Sequence, residues 1–279
     1  VTTEPDTRYR IEAPALIQFS GGRSSGFMLR KILDAHGGAL LDGVHVVFCN
    51  TGLEHAKTYE FIERVEREWS VPIHWLEYRH AGGHRFVEVR PETASRNGEP
   101  FEKLIRASSY LPNPVTRKCT VELKIRTAKR YAKSLGWATW TSVIGLRADE
   151  PRRVARMRGD IKAEHVEMPM ARAGHTRADV GLFWTLSPFD LMLPGDDAAF
   201  GNCVGCFLKS RARLQRVARR EPEAFAWWTR MESLRLSQSP SAFTFRSDRP
   251  SYEAMLHEAR TQGVMFDDEE EGLPCACHD

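Results

Sequence analysis

Short apolar runs alternate with amphipathic stretches along the first half of this chain, and that alternation most narrows the folds open to it. Residues 15–19 form an apolar run that Ser20-Gly21-Gly22 ends. A helix-compatible stretch over 24–36 follows and stops at Gly37-Gly38. Residues 44–49 read as a second buried strand. Residues 56–69 then place Tyr59, Ile62, Val65 and Trp69 at helical spacing. Pro72 breaks that helix, 73–78 read as a third strand, 121–135 as a basic helix and 139–145 as a further strand. Strand and helix alternating in this way predict an α/β fold, a parallel sheet with helices on both faces.

The second half changes character. Residues 147–158 are basic, a short strand is expected near Val166, and helices are expected over about 177–186, 209–220 and 251–262. Residues 81–114, with Gly82-Gly83, Asn97-Gly98 and Pro112-Asn113-Pro114, read as a long loop or insertion. The expected division is a nucleotide-binding α/β domain over 1–170, carrying that insertion, and a C-terminal helical, cysteine-bearing region over 171–279 with an acidic tail.

Composition bears on compartment and chemistry. Apolar runs such as 44–49 are far short of the roughly 20 residues of a membrane span. With 42% hydrophobic and 28% charged residues, a disordered chain is excluded. The first ten residues are polar, so no secretory signal is expected and a cytoplasmic protein is. In that setting the cysteines at 49, 119, 203, 206, 275 and 277 point to metal or redox chemistry rather than a disulfide framework. Arg supplies 31 of the 40 basic residues, which reads first as the mark of a GC-rich genome and second as a means of forked anion recognition.

Ser20-Gly21-Gly22-Arg23-Ser24-Ser25 lies between the first strand and the first helix. Two glycines allow a tight turn and close approach of backbone to ligand. The helix N-terminus offers amides and a positive dipole end, the serines add hydroxyls and Arg23 adds charge. These are the requirements of a bound phosphate. The turn is neither a Walker A loop nor a GxGxxG turn, and an ordinary strand–turn–helix junction with a serine cap is the plain alternative.

The turn resembles the SGGxDS signature of the PP-loop ATP pyrophosphatases, with Ser24 in place of the Asp. The likeness continues toward the phosphoadenosine phosphosulfate (PAPS) reductase-like members. Phe48-Cys49-Asn50-Thr51-Gly52 with Thr58-Tyr59 and Phe61 is similar to DTG…ETYxF, Asn50 replacing the Asp. Arg117-Lys118-Cys119 with Lys124, Ile144-Gly145-Leu146-Arg147 with Asp149 and Arg152, Pro169-Met170 with 178–180, and Gly201-Asn202-Cys203-Val204-Gly205-Cys206 follow in the family's order. The resemblance implies a PP-loop fold that binds an adenine nucleotide, ATP or the sulfonucleotides PAPS or APS, with Mg2+ as an accessory ion. Ser20, Gly21, Gly22, Arg23, Ser24 and Ser25 are the expected phosphate-binding residues. Thr51, Gly52, Gly145 and Arg147 are expected to line the rest of the nucleotide pocket.

Cys203-x-x-Cys206 offers two corners of a metal site. The resemblance adds Cys119 and implies a [4Fe-4S] cluster; Cys275 or Cys277 completes it, or one iron stays open, and zinc is the structural competitor. Cys49 reads as a buried core thiol. The tail, Pro274-Cys275-Ala276-Cys277-His278, is similar to the reductases' C-terminal cysteine segment, which makes Cys277, activated by His278, the expected nucleophile and Cys275 the expected ligand. A disordered tail with incidental thiols is the alternative.

Arg147, Arg152, Arg153, Arg156 and Arg158 form one basic cluster and Lys209, Arg211, Arg213, Arg216, Arg219 and Arg220 another. Apart from Arg147 they read as solvated faces, with a phosphate or nucleic-acid track as the functional alternative. Phe225, Trp227 and Trp228 are expected to pack rather than stack a base. The implied activity is reduction of a sulfonucleotide, or ATP-driven adenylation for sulfur transfer to tRNA or DNA. The other class of reading is a non-catalytic nucleotide- or nucleic-acid-binding module. Expected partners are a thioredoxin-like reductant or sulfur donor and a second copy of the chain.

Overall fold

The computed structural model describes residues 6–157, 164–195, 197–234 and 243–261. Its strands are β1 (Ala15–Gln18), β2 (Val44–Asn50), β3 (Ile73–Tyr78), β4 (Phe86–Val89), β5 (Trp140–Ile144) and β6 (Glu164–Glu167). They form one sheet in the order β4-β3-β2-β1-β5-β6. Every neighbouring pair is parallel except β3 with β4. The helices are α1 (Arg23–Ala35), α2 (Ala56–Trp69), α3 (Glu99–Ser108), α4 (Arg126–Ser134), α5 (Pro151–Met157) and α6 (Pro169–Ala173). They continue with α7 (Arg177–Leu186), α8 (Asp197–Phe200), α9 (Arg211–Arg220), α10 (Ala226–Ser233) and α11 (Tyr252–Thr261).

The two-residue period of the strands divides the core. Ile17, Val46, Phe48 and Trp75 join the main cluster with Phe27 and Ile32 of α1, Phe61 and Ile62 of α2, and Trp184 of α7. Leu16, Val47, Cys49 and Leu76 face the other way, onto Ala128, Tyr131 and Ala132 of α4. The register, with Leu16 beside His45 and Ile17 beside Val46, keeps each set on its face. From β1 the chain moves outward to β2 and β3, then crosses back to β5 on the far side of β1. Right-handed crossovers in opposite directions put their helices on opposite faces. A crevice therefore opens beyond the C-terminal ends of β1 and β5, where such sheets bind ligands.

Three expectations change. The segment 81–114 is not an unbroken loop: it holds β4, an antiparallel edge strand, and α3. Gly98 at φ +75° and Pro100 at the helix start fix the entry to α3, signals that read as turn chemistry in the sequence. The helix expected over 121–135 divides into a π-helical stretch, Thr120–Ile125, and α4. Part of the basic stretch after Gly145 is helical, as α5.

The C-terminal helices share the main core with the sheet. Leu214 and Val217 of α9, Phe225, Trp228 and Met231 around α10, and Tyr252 and Met255 of α11 belong to the same main cluster as the sheet. Among the described residues no helix is long and apolar enough to cross a membrane.

Candidate functional site

The Ser20–Ser25 glycine–serine segment stands where the sequence puts it, between the end of β1 and the first turn of α1. Gly21 has φ +77°, and a Cβ there would meet Thr58 Cγ2 at 2.7 Å and Ile62 Cδ1 at 2.8 Å, so α2 presses on the turn from below. Ser25 Oγ accepts from the Ser20 amide at 3.2 Å, lies 3.0 Å from Ser20 Oγ and donates to Gly22 O at 3.0 Å. The buried Ser25 is thus the internal strut of the turn. Gly22 precedes α1 without a side-chain cap, which leaves first-turn amides to serve an anion, as at other helix N-termini.

Arg23 does not bring its guanidinium to that anion position. Its Nε and Nη2 grip the Asp190 carboxylate at 2.8 and 2.5 Å, and its carbonyl accepts from Trp184 Nε1 at 2.9 Å. The side chain anchors the 187–193 loop, and only the Arg23 backbone belongs to the turn.

The guanidinium that reaches Ser24 is that of Arg147. Gly145, at the end of β5, packs so close to α1 that a Cβ there would lie 3.3 Å from Ser25 Cα. Two residues on, Arg147 Nη1 donates to Ser24 Oγ at 3.0 Å. Arg147 Nε binds Asp149 at 2.9 Å, and the Arg147 amide donates to Glu150 at 3.0 Å. Burial pushes the Asp149 carboxyl up, but the Arg177 amide and the Arg147 guanidinium outweigh it and hold it below its ordinary range. Asp149 therefore stays charged and fixes the orientation of Arg147.

A second polar cluster lies beyond β2. Thr51 Oγ1 donates to Glu54 at 2.9 Å, and the Thr51 amide reaches the same carboxylate at 3.3 Å. Tyr59 OH bonds Glu54 at 3.2 Å and Asn50 Oδ1 at 3.1 Å. Lys124 Nζ stands 3.9 Å from Glu54, whose side chain is 1% exposed. Burial raises the Tyr59 hydroxyl well above its usual range, so it remains a donor. Asn50 Nδ2 bonds Glu77 at 2.7 Å and its Oδ1 accepts from the Gly52 amide at 3.0 Å. An Asp at 50 could not make the donor contact to Glu77. Gly52, at φ +78°, lies so near Gly98 that a Cβ would meet its nitrogen at 2.8 Å.

The Cys203–Cys206 turn docks on this cluster. Glu54 and Cys203 form an antiparallel bridge, and the Val204 amide donates to Leu53 O at 2.7 Å. Cys203 Sγ lies 3.2 Å from Thr51 Oγ1 and 4.0 Å from Glu54. Cys206 and Cys119 are partly buried against the main core. Cys119 immediately precedes the π-helical stretch that carries Lys124. Cys49 is a core thiol whose Sγ–H donates to Lys124 O at 3.5 Å, and burial pushes it up to about 12, so it stays protonated.

The structure therefore brings together Ser20, Ser24, Ser25, Gly145 and Arg147 as one group, and Thr51 and Cys203 as another. Among the described residues no group of three or more His, Cys, Asp or Glu assembles as a metal site. The three-thiolate set of Cys119, Cys203 and Cys206 is accordingly not gathered there. Cys275, Cys277 and His278 lie outside the described residues, as does Arg158. Glu54 is the residue that sequence reasoning missed. Its signal is the Thr-x-x-Glu spacing from Thr51, a pattern that lets a carboxylate reach back to a backbone amide. Phe225, Trp227 and Trp228 are buried in the core, the packing role expected of them.

Comparison with known proteins places these segments in a family. The model of the phosphoadenosine phosphosulfate reductase domain matches residues 14–162, more than half of the chain. An uncharacterized nin region protein, ORF290, of Escherichia phage lambda is 28% identical over 218 residues, covering 71% of this chain and 67% of that protein. Among solved structures, PAPS reductase from Candida auris, a phosphate complex, aligns with a TM-score of 0.42 at 16% identity, covering 64% of this chain and 75% of that one. The U34-tRNA thiolase NcsA from Methanococcus maripaludis, solved with its [4Fe-4S] cluster, aligns with a TM-score of 0.43 at 10% identity, covering 98% of this chain and 84% of that one. By the match over 14–162, the chain belongs to the phosphoadenosine phosphosulfate reductase domain family.

Proposed function

We propose that this chain is an adenine-nucleotide-binding enzyme of sulfur chemistry. It takes a sulfonucleotide, or ATP, with its phosphates on the 20–25 turn. The observation that carries this reading is the Arg147–Ser24 contact. It sets a guanidinium at the N-terminus of α1, at the switch point of the sheet. Gly21 and Gly22 leave room for the phosphates, Ser20 and Ser24 supply hydroxyls, and Thr51, Gly52 and Gly145 line the remainder of the pocket.

The favoured reaction is reduction of a sulfonucleotide such as PAPS or APS. A thiolate, with Cys277 beside His278 the proposed source, attacks the sulfonate sulfur. The S–O bond to phosphate breaks, the nucleotide leaves with that electron pair, and a thiosulfonate remains on the enzyme. A thioredoxin-like dithiol then releases sulfite and is itself oxidised. The second reading is ATP-driven adenylation of tRNA or DNA for thiolation, favoured by the intact two-glycine turn.

A [4Fe-4S] cluster on Cys119, Cys203, Cys206 and Cys275 belongs to the same reading, although the three described thiols are not gathered as a metal site and Cys275 lies outside the described residues. The donor chemistry present on the 203–206 turn, two thiols, fits two corners of such a group. When bound it would supply a soft iron able to hold sulfur. Cytoplasmic location and self-association belong to the same reading.

Anaerobic assays with PAPS, APS and ATP separate the reactions. Sulfite release supports the reductase and pyrophosphate release the adenylating enzyme. A folded protein that releases neither, and binds none of the three nucleotides, overturns both.

A further inference from the structure

Cys203 and Cys206 are the first and fourth residues of one β-turn. The Cys206 amide donates to Cys203 O at 3.1 Å, and Gly205 stands third at φ +75°, as a type II turn requires. Such a turn holds its outer Cα atoms within about 7 Å, and a disulfide spans Cα separations of about 4.4–6.8 Å. Both residues are thiols here. Their surroundings differ. Cys203 is 8% exposed, whereas Cys206 is only partly buried. One residue of the pair is open to solvent and the other is enclosed.

The enclosed thiol sits on a proton path. Cys203 Sγ lies 3.2 Å from Thr51 Oγ1. That hydroxyl has one proton and gives it to the Glu54 carboxylate, whose two oxygens lie at 2.9 and 3.0 Å. It accepts from the Leu53 amide at 3.3 Å, and its remaining lone pair takes the Cys203 S–H. Glu54 Oε1 itself lies 4.0 Å from Cys203 Sγ. The thiol proton therefore reaches a buried carboxylate through one hydroxyl, without solvent. Cys49 shows what a merely packed thiol does in this molecule. Its Sγ–H goes to a backbone carbonyl, Lys124 O at 3.5 Å, a group that does not take up a proton. Cys203 has instead an outlet for its proton, and attack on sulfur requires the thiolate.

We propose that Cys203 and Cys206 are a redox-active dithiol that reduces a disulfide, with Cys206 the attacking thiol, Cys203 the resolving thiol and Glu54 the acceptor of its proton through Thr51. The Cys206 thiolate attacks one sulfur of a disulfide R–S–S–R. The S–S bond breaks, RS⁻ leaves, and Cys206 and R share a mixed disulfide. Cys203, its proton passed to Glu54, then attacks the Cys206 sulfur. The second RS⁻ leaves and the Cys203–Cys206 disulfide remains. Two thiols are oxidised, R–S–S–R is reduced to two RSH, and these take up the two protons. The same steps in reverse, with a thioredoxin-like dithiol as reductant, restore the pair. The inference does not depend on the nucleotide reading of the 20–25 turn. At these two cysteines it is the alternative to cluster ligation, and the two readings oppose each other on iron.

The test starts from full-length protein purified under argon. Its iron and sulfide are measured first; it is then reduced, freed of small thiols and mixed with glutathione disulfide. Acid quenching, alkylation and peptide mass mapping follow each thiol with time. The expected wild-type protein carries negligible iron and passes through a mixed disulfide at Cys206 to a Cys203–Cys206 disulfide, which a thioredoxin-like dithiol reduces again. Cys203→Ser should stop at the mixed disulfide on Cys206. Glu54→Gln should form that mixed disulfide at the wild-type rate and close it about a hundredfold more slowly, the low end for loss of a positioned proton acceptor. The split between the two steps is the decisive readout, because a loosened fold alters both. Wild-type protein that forms no Cys203–Cys206 disulfide overturns the proposal. So does a closure rate unchanged in Glu54→Gln, and so does iron that co-purifies with the wild type and is lost from Cys203→Ser. Nucleotide binding in the same samples tests the proposed function separately, since its absence leaves the thiol result intact.

Discussion

Arg147 donates through Nη1 to Ser24 Oγ at 3.0 Å and so ties the C-terminal end of β5 to the first turn of α1. Ser24 occupies the position at which the SGGxDS pattern has Asp. Arg147 already pairs with Asp149 at 2.9 Å and stands 3.6 Å from Glu150, and a serine at 24 adds no third carboxylate where the amides of α1 converge.

Replacing Arg147 with Ala should therefore weaken binding of ATP or PAPS by about tenfold to a hundredfold, from the ~1.5–3 kcal/mol of a charge-assisted hydrogen bond. Ser24→Ala should cost only a few-fold. Equilibrium binding with a fluorescent adenine nucleotide measures both. Equal losses in the two variants would show that the guanidinium acts only through Ser24.

Gly21→Ala tests the turn itself. The residue sits at φ +77°, and the new methyl would press on Thr58 and Ile62 at 2.7 and 2.8 Å. A loss of about 1–3 kcal/mol in urea unfolding is expected, together with loss of nucleotide binding under conditions where the variant is still folded. Wild-type stability in this variant would mean that α2 does not brace the turn.

Glu54→Ala removes the buried carboxylate that accepts from the Thr51 hydroxyl and leaves Tyr59 OH with Asn50 Oδ1 alone. Removing one member of such a buried polar pair should cost about 3 kcal/mol. Glu54→Gln, which retains an acceptor oxygen, should cost less. Urea midpoints at neutral pH check the order. The account fails at this point if the Ala variant is as stable as the wild type.

Acid should destabilise the protein through His45. Burial first, and the neighbouring His74 second, hold its folded pKa below the ordinary imidazole range, with Glu88 opposing. The ring stacks on His74 at 4.8 Å, and its Nδ1 pairs with Tyr131 OH at 2.8 Å. A base whose folded pKa is depressed takes its proton more readily in the unfolded chain, so its contribution to stability is lost as pH falls below about 6.5. The thermal midpoint should drop between pH 7.5 and 5.5, and His45→Asn should show a shallower drop. An unchanged slope in the variant would assign the acid sensitivity elsewhere.

Much of this was legible in the residues because it depends on local pattern. Short apolar runs gave β1, β2, β3 and β5, and the glycine pair with serines placed the turn between β1 and α1, since both are short-range signals. What stayed hidden depends on partners far along the chain. Arg23 looks like a phosphate ligand until α7 and its following loop bring Asp190 to it across 167 residues. The edge strand β4 and helix α3 were masked by glycines and prolines that read as a loop, and Gly98 acquires its structural meaning only against Gly52 and Trp227. Glu54 had a local signal, but its contact with Cys203 spans 149 residues. The parallel β6 was expected as a short strand near Val166, and its pairing with β5 completes the sheet.

The most direct test of the central claim is equilibrium binding of PAPS and ATP to reduced, full-length protein, wild type beside Arg147→Ala and a surface control, Arg152→Ala. The account predicts saturable binding of at least one of these nucleotides, weakened tenfold or more in Arg147→Ala and unchanged in Arg152→Ala. Absence of binding to the wild type, or equal binding to wild type and Arg147→Ala, would contradict it.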